Sequence, residues 1–356
     1  MKHFAFPSSV YSGAHEGGHV QGIAIDVAQR HIYYSFTTRL VKTDFQGNLL
    51  GSVIGLVGHL GCITFDPHRR RVIGSLELKH DSIGQGIMGT TGVTIAEEDA
   101  FYLVAFDVDA ITRPLMDAEA DGVMQAVWLS DVVDDYNAID EVSGMPHRYG
   151  CSGIDGTEIG PAFGEGDDAP YQIMVAYGIY GENHRTDNDH QVILQYDPSI
   201  FDVYGQPLRQ MSPHHSGPMH ADGKYFFYTG NTTWGVQNLA YDPHSRMWLL
   251  AVYPGKKPAY ANYPLFFVDG SVYPHKQLLT GRPGETGMVL TSGLPTRGSD
   301  NAPLGSRFPL GSTGIHPLGD GRFVFSTPER ADGLFASRLQ VYRMDADNAD
   351  LFSLDT

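Results

Sequence analysis

Hydrophobic positions along this chain fall in short bursts, each closed by Asp or by turn-forming residues. Bursts of this length, rich in Val, Ile, Tyr and Phe, predict β-strands rather than helices. Three such strands recur as a unit. The first copy reads GIAID (22–26), HIYYSF (31–36) and RLVKTD (39–44). The second reads CITFD (62–66), RVIGSLEL (71–78) and FYLVAFD (101–107). CSGID (151–155), YQIMVAYG (171–178) and QVILQYD (191–197) form the third. NLAYD (238–242), RMWLLAVY (246–253) and PLFFVD (264–269) form the fourth. IHPLGD (315–320), RFVFST (322–327) and RLQVYRMD (338–345) form the fifth. The turns FDPHRR (65–70) and YDPHSR (241–246) are near copies, and Asp-Pro is tight-turn chemistry. A weaker fourth strand is expected at 49–54, 124–129, 277–279 and 351–354.

Four antiparallel strands repeated along a chain describe an all-β fold, the β-propeller, in which each blade buries its faces only against its neighbours. Five blades in one domain over residues 1–356 are expected. Six or seven stay open, because the first-strand Asp residues at 66, 155 and 242 leave room for a hidden blade near KYFFYT (224–229). An irregular β-sandwich is the other reading. Strands at 2–6 and 338–345 would share a blade and close the ring.

Composition supports this architecture. The 42 Gly and 21 Pro among 356 residues, with only 18% charged, argue against a helical bundle. A net charge of −17 disfavours nucleic acid and anionic membrane surfaces as partners. There is no apolar run of the roughly 18 residues a membrane helix needs. Two Cys make no disulfide framework. The opening MKHFAFP lacks a secretory apolar stretch, so a soluble cytoplasmic protein is expected, although a trimmed exported chain would read alike.

Propeller geometry sorts the connections onto two faces. Turns after first and third strands are short and Asp-rich, as Asx turns require: Asp26, Asp44, Asp66, Asp107, Asp197, Asp242 and Asp269. The opposite face carries long, mixed loops at 79–100, 178–190, 254–263 and 328–337, and before first strands at 131–150, 211–235 and 281–314. Long loops on one rigid face usually carry function.

Counting back seven positions from each first-strand Asp reaches His19, His59 and Arg148, with Trp234 beside the fourth-blade position. Equivalent positions of a ring converge on its axis, so His19, His59 and Arg148 are expected at the channel mouth. Strand alternation puts Glu77 and Lys79 on one side of their blade, with His80 and Asp81 at the rim. His80 beside carboxylates suits acid–base work. The loop YGENHRTDNDH (180–190) offers Tyr180, Glu182, His184 and Arg185, and the loop at 254–263 offers Tyr260. The alternatives are histidines that merely close the ring and loops that are merely solvated. No GxSxG elbow, P-loop or HExxH occurs in the sequence.

The repeats resemble those of β-propellers, and the His/Arg mouth is similar to carbohydrate-active propellers that cleave next to a uronic acid. That resemblance implies a lyase-type β-elimination or related glycosidic cleavage. Arg148 would pair with the substrate carboxylate, His19 or His59 would move the proton, and His80 would be a second candidate. Glu77, Lys79, Trp234, Tyr180, His184, Arg185 and Tyr260 would bind the substrate. Five-bladed arabinanase- and invertase-type glycosidases resemble the chain in blade number, but they place carboxylates where His19, His59 and Arg148 stand. Calcium-dependent lactonase propellers surround an ion with Glu, Asn and Asp, a set that this mouth also lacks. Two further readings stay open: a sugar- or protein-binding propeller using Trp234 and Tyr260, and a metal-dependent hydrolase or lactonase holding calcium, manganese or zinc through His59, His80 and Glu77. A small molecule or oligosaccharide is the expected partner.

Overall fold

The computed structural model describes residues 6–294, 304–345, 348 and 350–355. Its strands form five sheets arranged as the blades of a propeller. Blade I runs Val20–Asp26, His31–Phe36, Arg39–Asp44 and Leu49–Ile54; blade II runs His59–Asp66, Arg71–Leu78, Ala100–Asp107 and Met124–Trp128. Blade III runs Cys151–Pro161, Tyr171–Ile179, His190–Tyr196 and Gly223–Tyr228. Blade IV runs Thr232–Asp242, Met247–Pro254, Leu265–Asp269 and Gly305–Ser306; blade V runs Ile315–Pro317, Arg322–Ala331 and Leu334–Met344. Ser9–Tyr11 then adds to blade V antiparallel to 338–340. The chain's two ends thus close the ring.

Each blade's two apolar faces are covered by its neighbours. Five buried clusters fill the five interfaces among the described residues. Val53 meets Leu60 between blades I and II, and Ile73 meets Val175 between II and III. Met174 meets Trp248, Leu249 meets Phe323, and Val324 meets Ile23 at the other three. The recurring Asp residues are turn-formers. Asp66 accepts from the backbone of His68 and Arg69 at 3.0 and 3.2 Å, and Asp44, Asp107, Asp197 and Asp269 do the same in their own turns.

Several expectations change. The segment 224–229 is not a hidden blade: Gly223–Tyr228 is the fourth strand of blade III. The segment 277–279 belongs to His275–Leu278, which pairs with Thr286–Val289 and extends blade III, and Gly305–Ser306 closes blade IV instead. The segment 328–337 is not a loop but the end of a long hairpin turning at Asp332 and Gly333. Both have φ near +53° and +81°, the mirror-image turn that suits strand twist. Of the expected closing strand at 2–6, residues 2–5 lie outside the described residues, and Ser9–Tyr11 does the closing. Among the described residues no helix is long and apolar enough to cross a membrane.

Candidate functional site

The first strands of four blades share a local irregularity that builds the site. Their ladders slip at Gln21, at Gly61 and Cys62, at Ser152 and Asp155, and at Gln237. A bulge leaves a residue unpaired and re-aims its side chain. Gln21, Asp155 and Gln237 consequently line one cavity of about 270 Å³ at the channel mouth, together with His19, His59, Glu77, Lys79, Trp234 and Tyr253. Small-molecule sites begin at about this size. The helix Ser82–Thr91, capped by Asp81 at 3.0–3.1 Å, covers one side with Ile83.

Four ionisable groups face this cavity in two coupled pairs. His59 Nδ1 lies 3.2 Å from Asp155 Oδ1, and Gln237 Nε2 donates to the other Asp155 oxygen at 3.0 Å. At 3.2 Å the two are within hydrogen-bond reach but imperfectly aligned, so charge attraction and a bent hydrogen bond both act between them. Burial opposes the imidazolium, but Asp155 and then Glu77 hold His59 above its ordinary 6.5. Burial likewise opposes the Asp155 carboxylate, yet His59 and Lys79 hold it below 3.8. The second pair is Lys79 Nζ with Glu77 Oε2 at 2.7 Å. Burial outweighs Lys79 and pushes Glu77 up to about 7. Lys79 also donates to Ser152 O at 2.6 Å and Glu77 accepts from the Ile154 amide, so this pair staples blade II to blade III. A Cβ at Gly153, whose φ is +114°, would collide with the Glu77 carboxylate. Glycine there is what lets the carboxylate reach the neighbouring backbone.

His19 stands at the rim, where Gln21 Nε2 meets its Nε2 at 3.2 Å and Thr37 at 3.0 Å. Desolvation, then the charge on His59, lowers its pKa. The structure therefore brings together His19, His59, Glu77, Lys79 and Trp234 of the sequence-derived set. Tyr180 meets Trp234 edge-on at 6.2 Å without lining the cavity.

The remaining candidates lie elsewhere. Arg148 is not at the mouth: it pairs with Glu285 at 2.9 Å and lies over the Tyr149 ring. The physical reason is strand length. Blade III's first strand continues to Pro161, so Asp155 is not its end, and the position equivalent to His59 is Gly153. His80 pairs with Asp99 at 3.1 Å outside the cavity. His184 is exposed. Arg185 is buried, bidentate on Asp187 at 2.7 and 2.8 Å and bonded to the carbonyls of Pro146 and His147, which ties two loops together. Tyr260 donates to Asp189 at 2.9 Å and backs Gly230.

No protein-family model and no curated protein matches the sequence. Among solved structures, the chain is similar to a gluconolactonase of Xanthomonas campestris at 10% identity and a TM-score of 0.38, over 97% of this chain and 78% of that one. It is also similar to a GH43 β-1,3-galactosidase solved with galactodeoxynojirimycin, at 12% identity and a TM-score of 0.44, over 94% and 93%. The fold is a five-bladed β-propeller. Likeness this distant carries no chemistry, which rests on the cavity's own residues.

Sequence reading missed Asp155, Gln21 and Gln237. A signal existed: Val20-Gln21-Gly22, Ile154-Asp155-Gly156 and Val236-Gln237-Asn238 echo one another at the bulges.

One donor set has the composition of a cation site: ligand atoms of His59, Glu77 and Asp155 lie within 4.8 Å of one another. One nitrogen and two carboxylates would suit zinc or manganese better than calcium. Both Glu77 oxygens are already engaged, however, by Lys79 and by the Ile154 amide. A divalent ion would have to displace an ammonium that already supplies positive charge there.

Farther along the first strand of blade III, Glu158 accepts from the Thr64 hydroxyl and from its neighbour's amide at 2.8 Å, and burial pushes it up to about 8. A raised carboxyl pKa favours the fold below the unfolded value and loses that contribution as pH rises through the folded one. Glu158 should therefore cost stability between about 4.5 and about 8. In Glu158→Gln, thermal unfolding midpoints should fall less over that window than in the wild type. Parallel curves would show that Glu158 does not carry this proton.

Proposed function

We propose that the channel mouth is an acid–base site that hydrolyses a small sugar-derived lactone or ester. The observation that carries this reading is geometric: His59 Nδ1 lies 3.2 Å from Asp155, with Glu77 in the same cavity, where Asp155 holds His59 above 6.5 and burial pushes Glu77 up to about 7. In the reaction, Glu77 takes a proton from water as its oxygen adds to the carbonyl carbon. His59 gives its proton to the oxygen that leaves as the C–O bond breaks. Trp234 offers a stacking face for a sugar ring, and Gln21 and Gln237 offer amides for its hydroxyls.

Spacing favours acyl over glycosidic chemistry. Inverting glycosidases hold their acid and base about 6.5–9.5 Å apart, to leave room for water behind the ring. Here the His59, Glu77 and Asp155 atoms lie within 4.8 Å, too close for that water and nearer the roughly 5–5.5 Å of retaining enzymes, but Asp155 is held by His59 and Gln237 rather than free to attack a sugar carbon, which leaves water addition at one carbonyl carbon. The β-elimination reading has no support at the mouth from Arg148, which is held by Glu285.

The test is product analysis by mass spectrometry after incubation with sugar δ-lactones, aryl glycosides and uronate oligosaccharides. Lactone products that gain one water faster than the spontaneous reaction are expected. Unsaturated uronates alone, or turnover of glycosides alone, would overturn the reading. Chelation should leave the rate unchanged, and stoichiometric zinc or manganese required for turnover would replace the Lys79-based version with the metal-dependent one.

A further inference from the structure

A second cavity of about 470 Å³ opens beside the first, and His19 and Tyr253 line both. Its far wall is the tip of the blade V hairpin, where Arg330 pairs in register with Phe335 one step before the Asp332-Gly333 turn. Three features hold that tip. The turn has the favoured mirror-image geometry, the Arg330 guanidinium lies 4.2 Å over the Phe335 ring, and Phe335 exchanges backbone hydrogen bonds with His15 at 2.7 and 3.0 Å.

The charge there is uncompensated. Among the described residues Arg330 makes no ion pair or hydrogen bond. The one carboxylate on the same wall, Glu329, is committed to Arg338 at 2.6 and 3.1 Å. Arg330 acts electrostatically on His19, which places its field at the junction of the two cavities. In a protein of net charge −17, an exposed guanidinium that rests on the Phe335 ring and meets no carboxylate is a local positive focus facing the space beyond the reacting groups. A guanidinium fork matches a carboxylate or phosphate in two parallel bonds.

We propose that Arg330 forms an anion-reading subsite and that the substrate is an acidic sugar derivative, its carboxylate or phosphate lying past His19 and Tyr253 from His59. This rests on the hydrolase reading for the identity of the reacting end, but not for the binding preference itself.

Calorimetric titration tests it with three probes of one size: methyl glucoside, methyl glucuronide and glucose 6-phosphate. Wild-type protein should bind at least one anionic probe about tenfold more tightly than the neutral one, and which of the two it prefers assigns the source of the anion. Arg330→Gln should remove that preference while leaving the neutral probe's affinity and the thermal midpoint unchanged. Arg330→Lys should retain part of it, because an ammonium keeps the charge without the fork. Equal affinity for all three probes, an equal loss for neutral and anionic probes in Arg330→Gln, or no binding of either anion overturns the subsite. Failure of the hydrolase reading is separate: it would show as turnover that survives Glu77→Gln, and it would leave the anion preference standing.

Discussion

His59→Asn should lower turnover of the lactone substrate by about 10²–10⁴, the usual contribution of one positioned proton-transfer group. The Asn side chain keeps a polar group against Asp155 but cannot carry the proton. Glu77→Gln should have an effect of similar size. The double variant should be little worse than either single one, because the two groups serve one step. The pH dependence separates their roles. Rate should rise as Glu77 loses its proton near pH 7 and fall as His59 loses its own above 6.5, giving a bell. The two limbs belong to the coupled set rather than to single residues. Glu77→Gln should abolish the rising limb. Arg148→Ala, at a residue held by Glu285 outside the cavity, should change turnover by no more than about twofold if the hydrolase reading holds. A large loss there, with His59→Asn active, would return the uronate mechanism to first place.

Lys79→Met should be the most destabilising single change at the site. Lys79 and Glu77 are 4% and 2% exposed, so the variant leaves Glu77 buried without its cation, forced either to bury a charge or to take up a proton. Breaking one side of a buried pair costs about 3–5 kcal/mol. The lost Ser152 bond also loosens the blade II–III staple. Replacing both partners, as Glu77→Leu with Lys79→Met, should recover much of the loss, because two apolar groups need no solvation. Chemical denaturation of the single and double variants measures this coupling. A Lys79→Met protein within about 0.5 kcal/mol of the wild type would show that the pair is solvated.

Much of the architecture was legible because propeller blades repeat. The strand triplets mark all five blades, and the loop lengths single out the face that carries the cavity. The strands read poorly were those without apolar alternation, such as Gly305–Ser306, which lacks any hydrophobic residue. The site was half legible. His19, His59, Glu77 and Lys79 stand at strand ends, where counting residues works. Asp155 looked like the end of its strand, since CSGID mimics GIAID. Only the strand's continuation to Pro161 and its two bulges turn that side chain into the channel. Arg148 was misplaced by the same register error. Bulges are backbone irregularities with no fixed residue signature, so a periodicity argument steps past them. The blade V hairpin was hidden differently: its polar residues 328–337 read as a loop, although Asp-Gly between two strands is hairpin chemistry.

The account stands on one imidazolium held by one carboxylate at the channel mouth. Nitrogen NMR of the His59 ring across a pH titration measures this without any substrate. The ring should titrate above 6.5 in the wild type, and it should drop below that value in Asp155→Asn, where only the weaker pull of Glu77 still opposes burial. A wild-type His59 that titrates at or below 6.5, or one indifferent to the loss of Asp155, would contradict the acid–base pair and the function built on it.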